Sequence, residues 1–500
     1  MPVLSLERRN APEWVILSLA CVAQFMVVLD ASVVNVALPS IGRDLHYSAT
    51  GLQWVVNAYV LTFAGFLLLG GRAGDIFGRR KVYIFGLALF AVASLVGGFA
   101  QNAAWLTSAR ALQGVGGAVV SPATLTILVT TFSGARLVRA LGIWSAVGGA
   151  GGAAGVVLGG ILTSELSWRW VLFINVPIAG GALLVAVVFL VDARRPTGKR
   201  MDIAGAVTAT AGLATFVYAV VGTDTHPWGS ARTLGTLGVA AILLALFVAI
   251  ELRLASSPLV NFGIFRSRAL AGANVVMLLV GAAFFSMWYF LSLFTQDVLG
   301  EDPLKAGLSF FPMGIAIVIG AQISARLVPK LGVRPLLLIG TAITTSGFVW
   351  LTQIHAGDSF WTHVLGPGCL ASFSLGILFT PLASAATSGV SQAEAGLASG
   401  VLNTSRQIGG SVGLAVLATI ASARTRSVLA HGHPGVRVAL ASGYQRAFAL
   451  AACLGVLGFL GSFIVPRLAK PEPQGGEERA AMPAGPAEVV GSLPEAAAAS

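Results

Sequence analysis

Charge is scarce in this chain. Only 10% of its 500 residues are Asp, Glu, Lys or Arg, whereas 56% are hydrophobic, and the mean hydropathy is +0.84. A soluble protein of this length needs far more polar surface to cover itself, so the composition excludes a soluble globular enzyme. Cysteine is almost absent too. Cys21, Cys369 and Cys453 lie inside apolar runs without paired spacing, which excludes a disulfide framework and a CxxC metal site. The six histidines, His46, His226, His355, His363, His431 and His433, fall at the ends of apolar runs or between them, so no pair is placed to hold a catalytic metal in a membrane. No GxxxxGK[ST] phosphate loop occurs, which excludes ATP-driven work by this chain. The net charge is +11, but the basic residues stand in short gaps without interleaved aromatics, unlike a nucleic-acid surface. The expectation is a non-enzyme with no cofactor, no metal and no nucleic-acid partner.

What the chain has is apolar length. A bilayer core about 30 Å thick takes roughly 20 helical residues, and cutting the sequence at its charged and turn-forming gaps predicts fourteen segments. They are 14–39, 51–71, 82–101, 105–130, 138–163, 169–191, 203–222, 233–251, 269–297, 304–325, 335–354, 361–388, 397–423 and 443–466. With the N-terminus inside, inner gaps receive clusters such as Arg72/Arg79/Arg80/Lys81 and Arg194/Arg195/Lys199/Arg200, whereas outer gaps hold single residues such as Arg43 and Arg232. That asymmetry is the one cytoplasmic loops show. The gap at 424–446 breaks it, with Arg424, Arg426, Arg437 and Arg446 on the predicted outside.

The expected organisation is a cytoplasmic N-terminus (1–13), a six-helix bundle (14–191), two extra helices with linkers (192–268), a second six-helix bundle (269–466) and a tail (467–500). The tail is rich in Pro, Gly, Ala and Glu and reads as disordered and cytoplasmic. A weak repeat supports two halves. GRAGDIFGRRK (Gly71 to Lys81) follows the second segment and ARLVPKLGVRP (Ala325 to Pro335) follows the tenth, with Gly78 and Gly332 in register. Transporters built from repeated halves carry such internal similarity.

Within the apolar runs a few polar residues stand out. LDASVVNVALP places Asp30 mid-segment, while Asp75, Glu165, Asp202 and other acids fall in gaps and Glu251 and Asp297 at helix ends. On this cut Asp30 alone lies deep. LTSARALQGVGGAVVSP brings Arg110 and Gln113 into segment four; an arginine there either faces the bundle interior with a partner or snorkels to the surface. Segment five carries Gly142, Gly151, Gly155, Gly159 and Gly160, and a stripe at i, i+4, i+8 lets two helices approach closely. FFSMWYFLSLFTQ offers Phe285, Trp288, Tyr289 and Gln296, and NTSRQIGGSVG offers Asn403 and Arg406. With Gln24, Asn57 and Gln113, these are the candidates to line a cavity for bulky amphipathic molecules.

Together these motifs resemble the major facilitator superfamily, and within it the fourteen-span drug:proton antiporters. Gly71-x-x-x-Asp75-x-x-Gly78-Arg79-Arg80 resembles the family's signature between helices two and three, and LDASVVNVALP, WRWVLFINVP and QDVLGEDPLKAGLSFFP resemble stretches of the fourteen-span group. The resemblance implies an all-α membrane fold of two six-helix bundles plus two inserted helices. It implies a conformational gate at Gly71, Asp75, Gly78, Arg79 and Arg80, and proton transfer involving Arg110. The segment-five glycines match the antiporter signature except that Val156 stands where proline is expected.

The function expected is proton-coupled export of hydrophobic or amphipathic drugs or metabolites by alternating access, with uptake symport of a small organic solute as the alternative. A carboxylate alone in a low dielectric binds protons more readily than one in water, which gives Asp30 the coupling role beside Arg110; the alternative is a structural carboxylate permanently paired with a buried donor. With so few acids, the cargo is expected to be neutral, monocationic or weakly anionic. The expected partners are that solute, protons and the lipid bilayer, in a bacterial cell membrane, with one copy of the chain sufficing.

Overall fold

In hydrocarbon every backbone N–H and C=O must be paired within the chain, so apolar runs of this length become helices. The computed structural model describes residues 12–467 except 49, 133, 191–201, 224–225, 256–257, 260–261, 389–394 and 432–434. Among the described residues all regular structure is helical. The helices are α1 (Glu13–Asp44), α2 (Trp54–Phe77), α3 (Arg79–Gly98), α4 (Ala103–Thr131), α5 (Gly134–Glu165), the single turn α6 (Trp170–Phe173), α7 (Asn175–Phe189), α8 (Ile203–Gly222), α9 (Ala231–Ala249), α10 (Arg268–Leu293), α11 (Pro303–Leu331), α12 (Val333–Leu351), α13 (Leu365–Thr387), α14 (Ala395–His431) and α15 (Val436–Gly461). Among the described residues twelve helical stretches, with α6 and α7 as one, are long and apolar enough to cross a membrane; α2 and α5 are 24 and 32 residues long. The N-terminal residues 1–11 and the tail from 468 lie outside the described residues.

Several helices outrun the expected segments. The sequence cut places Asp75 in a loop, but Gly71 to Phe77 complete α2 and Arg79 begins α3, so Gly78 alone makes the turn. Its φ of +92° is open to glycine and strained for other residues, and Gly332 repeats the turn between α11 and α12 at +86°. The expected outer loop at 424–446 is largely helical: Arg424 and Arg426 stand on α14 and Arg437 and Arg446 on α15. A helix of 37 residues spans about 55 Å, so its last turns project beyond the hydrocarbon and carry their charges into water.

Helices α1 to α7 pack on one another, as do α10 to α15, and α8 seats against both groups through a small cluster of Leu61, Val217, Val220 and Ala415. Glycines set the closest approaches. A methyl added at Gly151, Gly155 or Gly159 of α5 would lie 2.7 Å from an atom of α1, and Gly409 and Gly413 of α14 are equally tight against α10. Gly160 belongs instead to a contact between the two groups, against Pro303 and Leu304 of α11, and Gly142 has no neighbour in reach.

Prolines inside helices create further joints, because each leaves the carbonyl four residues earlier without its helical donor. Pro39 frees Asn35 O, which accepts a 2.6 Å bond from Ser292 Oγ of α10; Pro381 frees Ile377 O, which accepts one of 2.7 Å from Ser324 Oγ of α11.

Candidate functional site

Asp30 sits on α1 beside the residues that meet the glycine stripe of α5, with its carboxylate turned toward α4 and α7. It is fully enclosed, at 0% exposure, and Arg110 of α4 is 2% exposed. Arg110 Nη1 donates to Asp30 Oδ2 at 2.6 Å; Gln113 Nε2 and Asn175 Nδ2 each donate to Oδ1 at 2.8 Å. Arg110 is itself fixed by its Nε donating to Val55 O at 3.0 Å, by Gln113 Oε1 at 2.7 Å, and by the Tyr59 ring 4.4 Å from its guanidinium carbon. Gln113 Nε2 also donates to Ser94 Oγ at 2.6 Å. Five helices therefore meet at one ion pair. The expectation of a carboxylate alone in low dielectric is corrected: Asp30 accepts three bonds, the most favourable surroundings an anion can have in an apolar core. Arg110 faces the bundle interior and does not snorkel.

Asp30 is also not the sole enclosed acid. Glu251, expected at a helix end, is only 5% exposed, and its Oε1 accepts from Leu259 N at 3.3 Å beside the inserted pair α8 and α9. Asp297 closes the span Arg268–Val298 and stands 3.7 Å from Arg43.

The expected cavity residues do not form one surface. Asn57 and Gln296 are locked into the contact between the two bundles: Ser411 Oγ donates to Asn57 Oδ1 at 2.9 Å, and Gln296 Nε2 donates to Val36 O at 2.9 Å. Gln113 belongs to the Asp30 cluster. Gln24 faces Gly148 of α5 and lies 3.5 Å from Ser121 Oγ. Tyr289 is buried against Phe290, and Trp288 stands edge-on to Phe310. Phe285 fills the space beside Gly410 and packs against the apolar core of the first bundle. Asn403 Oδ1 accepts from Arg406 Nη2 at 2.8 Å. A separate cavity of about 440 Å³ lies between α2, α3 and α4, lined by Phe66, Gly70, Phe77, Lys81, Phe85 and Val119 among others, and shares none of these residues.

Of the expected gate, Arg80 Nη2 donates to Val187 O at 2.6 Å and ties the start of α3 to the end of α7. The side chain of Asp75 lies outside the described residues.

Residue-by-residue reading missed Asn175, Ser94 and Tyr59. Asn175 was within sight, because WRWVLFINVP carries it two residues before Pro177, and a polar side chain amid apolar ones at membrane depth marks a site. That stretch in fact holds α1 at two depths. Trp168 Nε1 and Arg169 Nη1 donate to Asp44 Oδ2 at 2.8 and 2.7 Å, while Asn175 reaches Asp30.

Residues 20–414 match the Major Facilitator Superfamily. The chain belongs to that family. This superfamily member is 43% identical over 463 residues to the cephamycin export protein of Amycolatopsis lactamdurans, covering 92% of this chain and 94% of that one. It is 37% identical to the puromycin resistance protein of Streptomyces alboniger, covering 87% of each. Its fold matches a bacterial homologue of the human lysosomal transporter Spinster with a TM-score of 0.64 at 16% identity, over 91% of this chain and 96% of that one. Membership makes it a multi-pass membrane transporter. The paired bundles and the repeated glycine turn at Gly78 and Gly332 are how this facilitator's halves are built.

Proposed function

We propose that the chain is a secondary active exporter of the bacterial cell membrane, exchanging protons for hydrophobic or amphipathic compounds by alternating access. The observation that carries this reading is the sealed Asp30–Arg110 pair. Protonation turns one Asp30 oxygen into a donor and removes the charge that holds Arg110, so the set of three donors has to rearrange when a proton binds. Proton binding and the packing of α1, α4 and α7 therefore change together, which is the requirement for coupling.

The contacts between bundles support a matching conformational state. Asn35–Ser292, Val36–Gln296, Asn57–Ser411 and Ser164–Leu304 gather where α1 and α5 end and α2 and α11 begin. With both termini cytoplasmic, that half faces outward, so cargo enters from inside the cell, as export needs. Gly71, Asp75, Gly78, Arg79 and Arg80 are the proposed gate at the opposite end, and one copy of the chain suffices. The names of the similar export and resistance proteins support the direction and a drug-like cargo. Uptake symport is the second reading: Val156 stands in place of proline and α5 runs through it as unbroken helix.

The test is Asp30→Asn in everted vesicles. Accumulation of a lipophilic dye driven by a pH gradient is expected to fall to background while folded yield persists; retained accumulation removes Asp30 from coupling. In whole cells, deleting the gene raises dye retention for an exporter and lowers it for a symporter.

A further inference from the structure

We infer that Arg406 anchors the anionic group of the cargo, so that the compound this protein moves is an amphipathic monoanion bearing a carboxylate or similar oxyanion. This rests on reading the chain as a small-molecule transporter, and it narrows the cargo from the wider range the composition allows. Two arginines stand at membrane depth, one in each bundle. Arg110 is matched by Asp30 within its own bundle. Arg406, inside the span Leu397–His431, has a neutral partner only. Its Nη2 donates to Asn403 Oδ1 at 2.8 Å, and the Phe379 ring lies 5.9 Å from its guanidinium carbon. No carboxylate among the described residues is within ion-pairing distance of it, and one of its five N–H donors is engaged by a side chain.

Among the described residues the bundle supplies no anion to it: Asp297, in the helical turn that extends α10, stands 3.7 Å from Arg43, and Glu301, Asp302 and Asp358 lie between helices. A cation at this depth without an anion is costly and faces a partner or a wet cavity. Arg406 is only partly buried, whereas Arg110 is enclosed, so Arg406 retains room for a partner.

Its neighbours suit an amphipathic anion. Arg406 lies where α10, α13 and α14 meet, its backbone carbonyl pressed against Gly281. One turn further along α14, Gly410 receives the ring of Phe285, which also packs on the first bundle. A guanidinium that forks onto an oxyanion, with the Phe379 ring beside it and the Phe285 ring one turn along the helix, recognises a carboxylate on an aromatic or aliphatic body.

The experiment uses the full chain in detergent, without any pH gradient, and titrates two fluorescent probes: dansyl-phenylalanine, an anion, and its neutral primary amide. Wild-type protein is expected to bind the carboxylate about tenfold more tightly than the amide or better. Arg406→Gln should bring the ratio to within about twofold while amide binding persists. Wild-type protein without a preference for the carboxylate overturns the proposal, as does an Arg406→Gln protein that keeps the preference. Should Arg406→Gln not yield folded protein, Arg406→Lys is read instead: a preference reduced about threefold or more supports the role, because an ammonium cannot fork, and an unchanged preference overturns it. Failure of proton-driven export in vesicles leaves this ratio unaffected, and loss of the ratio leaves export and its Asp30 test standing.

Discussion

In the first bundle α1 and α5 close on Gly151, Gly155 and Gly159, and in the second α10 and α14 close on Gly409 and Gly413. Both bundles turn at a glycine of positive φ in the same register, Gly78 and Gly332, and the second turns at a further one, Gly300. What these matching frames enclose is different. The first holds a polar cluster in which one acid and one base are paired; the second holds edge-on and tilted rings, Phe284, Phe348, Phe448, Phe290 and Tyr444 in a chain of contacts, and one arginine without an acid among the described residues. Duplication of a frame therefore does not duplicate its chemistry. On the proposed reading the polar half, its charges paired within the protein, is the one that exchanges a proton, and the aromatic half, with Arg406 unpaired, is the one that holds a charged solute.

The sharpest way to break that comparison is to unbalance the first bundle. Arg110→Ala removes the charged partner of the buried Asp30 and should cost about 3–5 kcal/mol, seen as a large fall in the melting temperature of purified protein. The paired change Asp30→Asn with Arg110→Gln should restore much of the stability but not gradient-driven transport. Arg406→Gln should melt close to wild type, since no carboxylate depends on it.

Next in size are the frames themselves. Gly155→Val and Gly413→Val should each cost about 1–3 kcal/mol or more, because even a first methyl would lie 2.8 Å from Leu29 O in one case and 2.5 Å from Ala282 Cα in the other. Gly142→Ala, with open space around it, should lie within about 0.5 kcal/mol of wild type. Similar losses at Gly155 and Gly413 would sharpen the equivalence of the frames, whereas tolerance at one would end it. The comparison is thermal melting and the yield of monodisperse protein.

The smallest effects belong to the closed half. Gln296→Ala removes a buried bond to Val36 O and should open that half by about 0.5–1.5 kcal/mol, raising the labelling of a cysteine placed at Asn35. Arg43→Ala removes a contact of 3.7 Å from a side chain 65% exposed, so labelling should stay unchanged.

Much of this architecture was legible because a bilayer leaves few options. Apolar length, basic gaps and two in-register glycines suffice for helices, their order and a repeated half. The cluster was half legible: Asp30, Arg110 and Gln113 stand out against apolar neighbours, but Asn175 is 145 positions from Asp30, and no local pattern pairs them. The cavity candidates were least legible. Asn57 and Gln296 are polar at membrane depth, as cavity residues would be, yet equally suited to bonding the opposite bundle. Composition also could not separate Gly142, which touches nothing, from Gly155, which touches α1.

By itself the sequence determined that this protein crosses a membrane many times in two related halves, because hydrophobic length and backbone pairing act locally. Only the tertiary structure decided that Asp30 is satisfied and Arg406 is not, because charge compensation is a property of what distant helices bring within 3 Å.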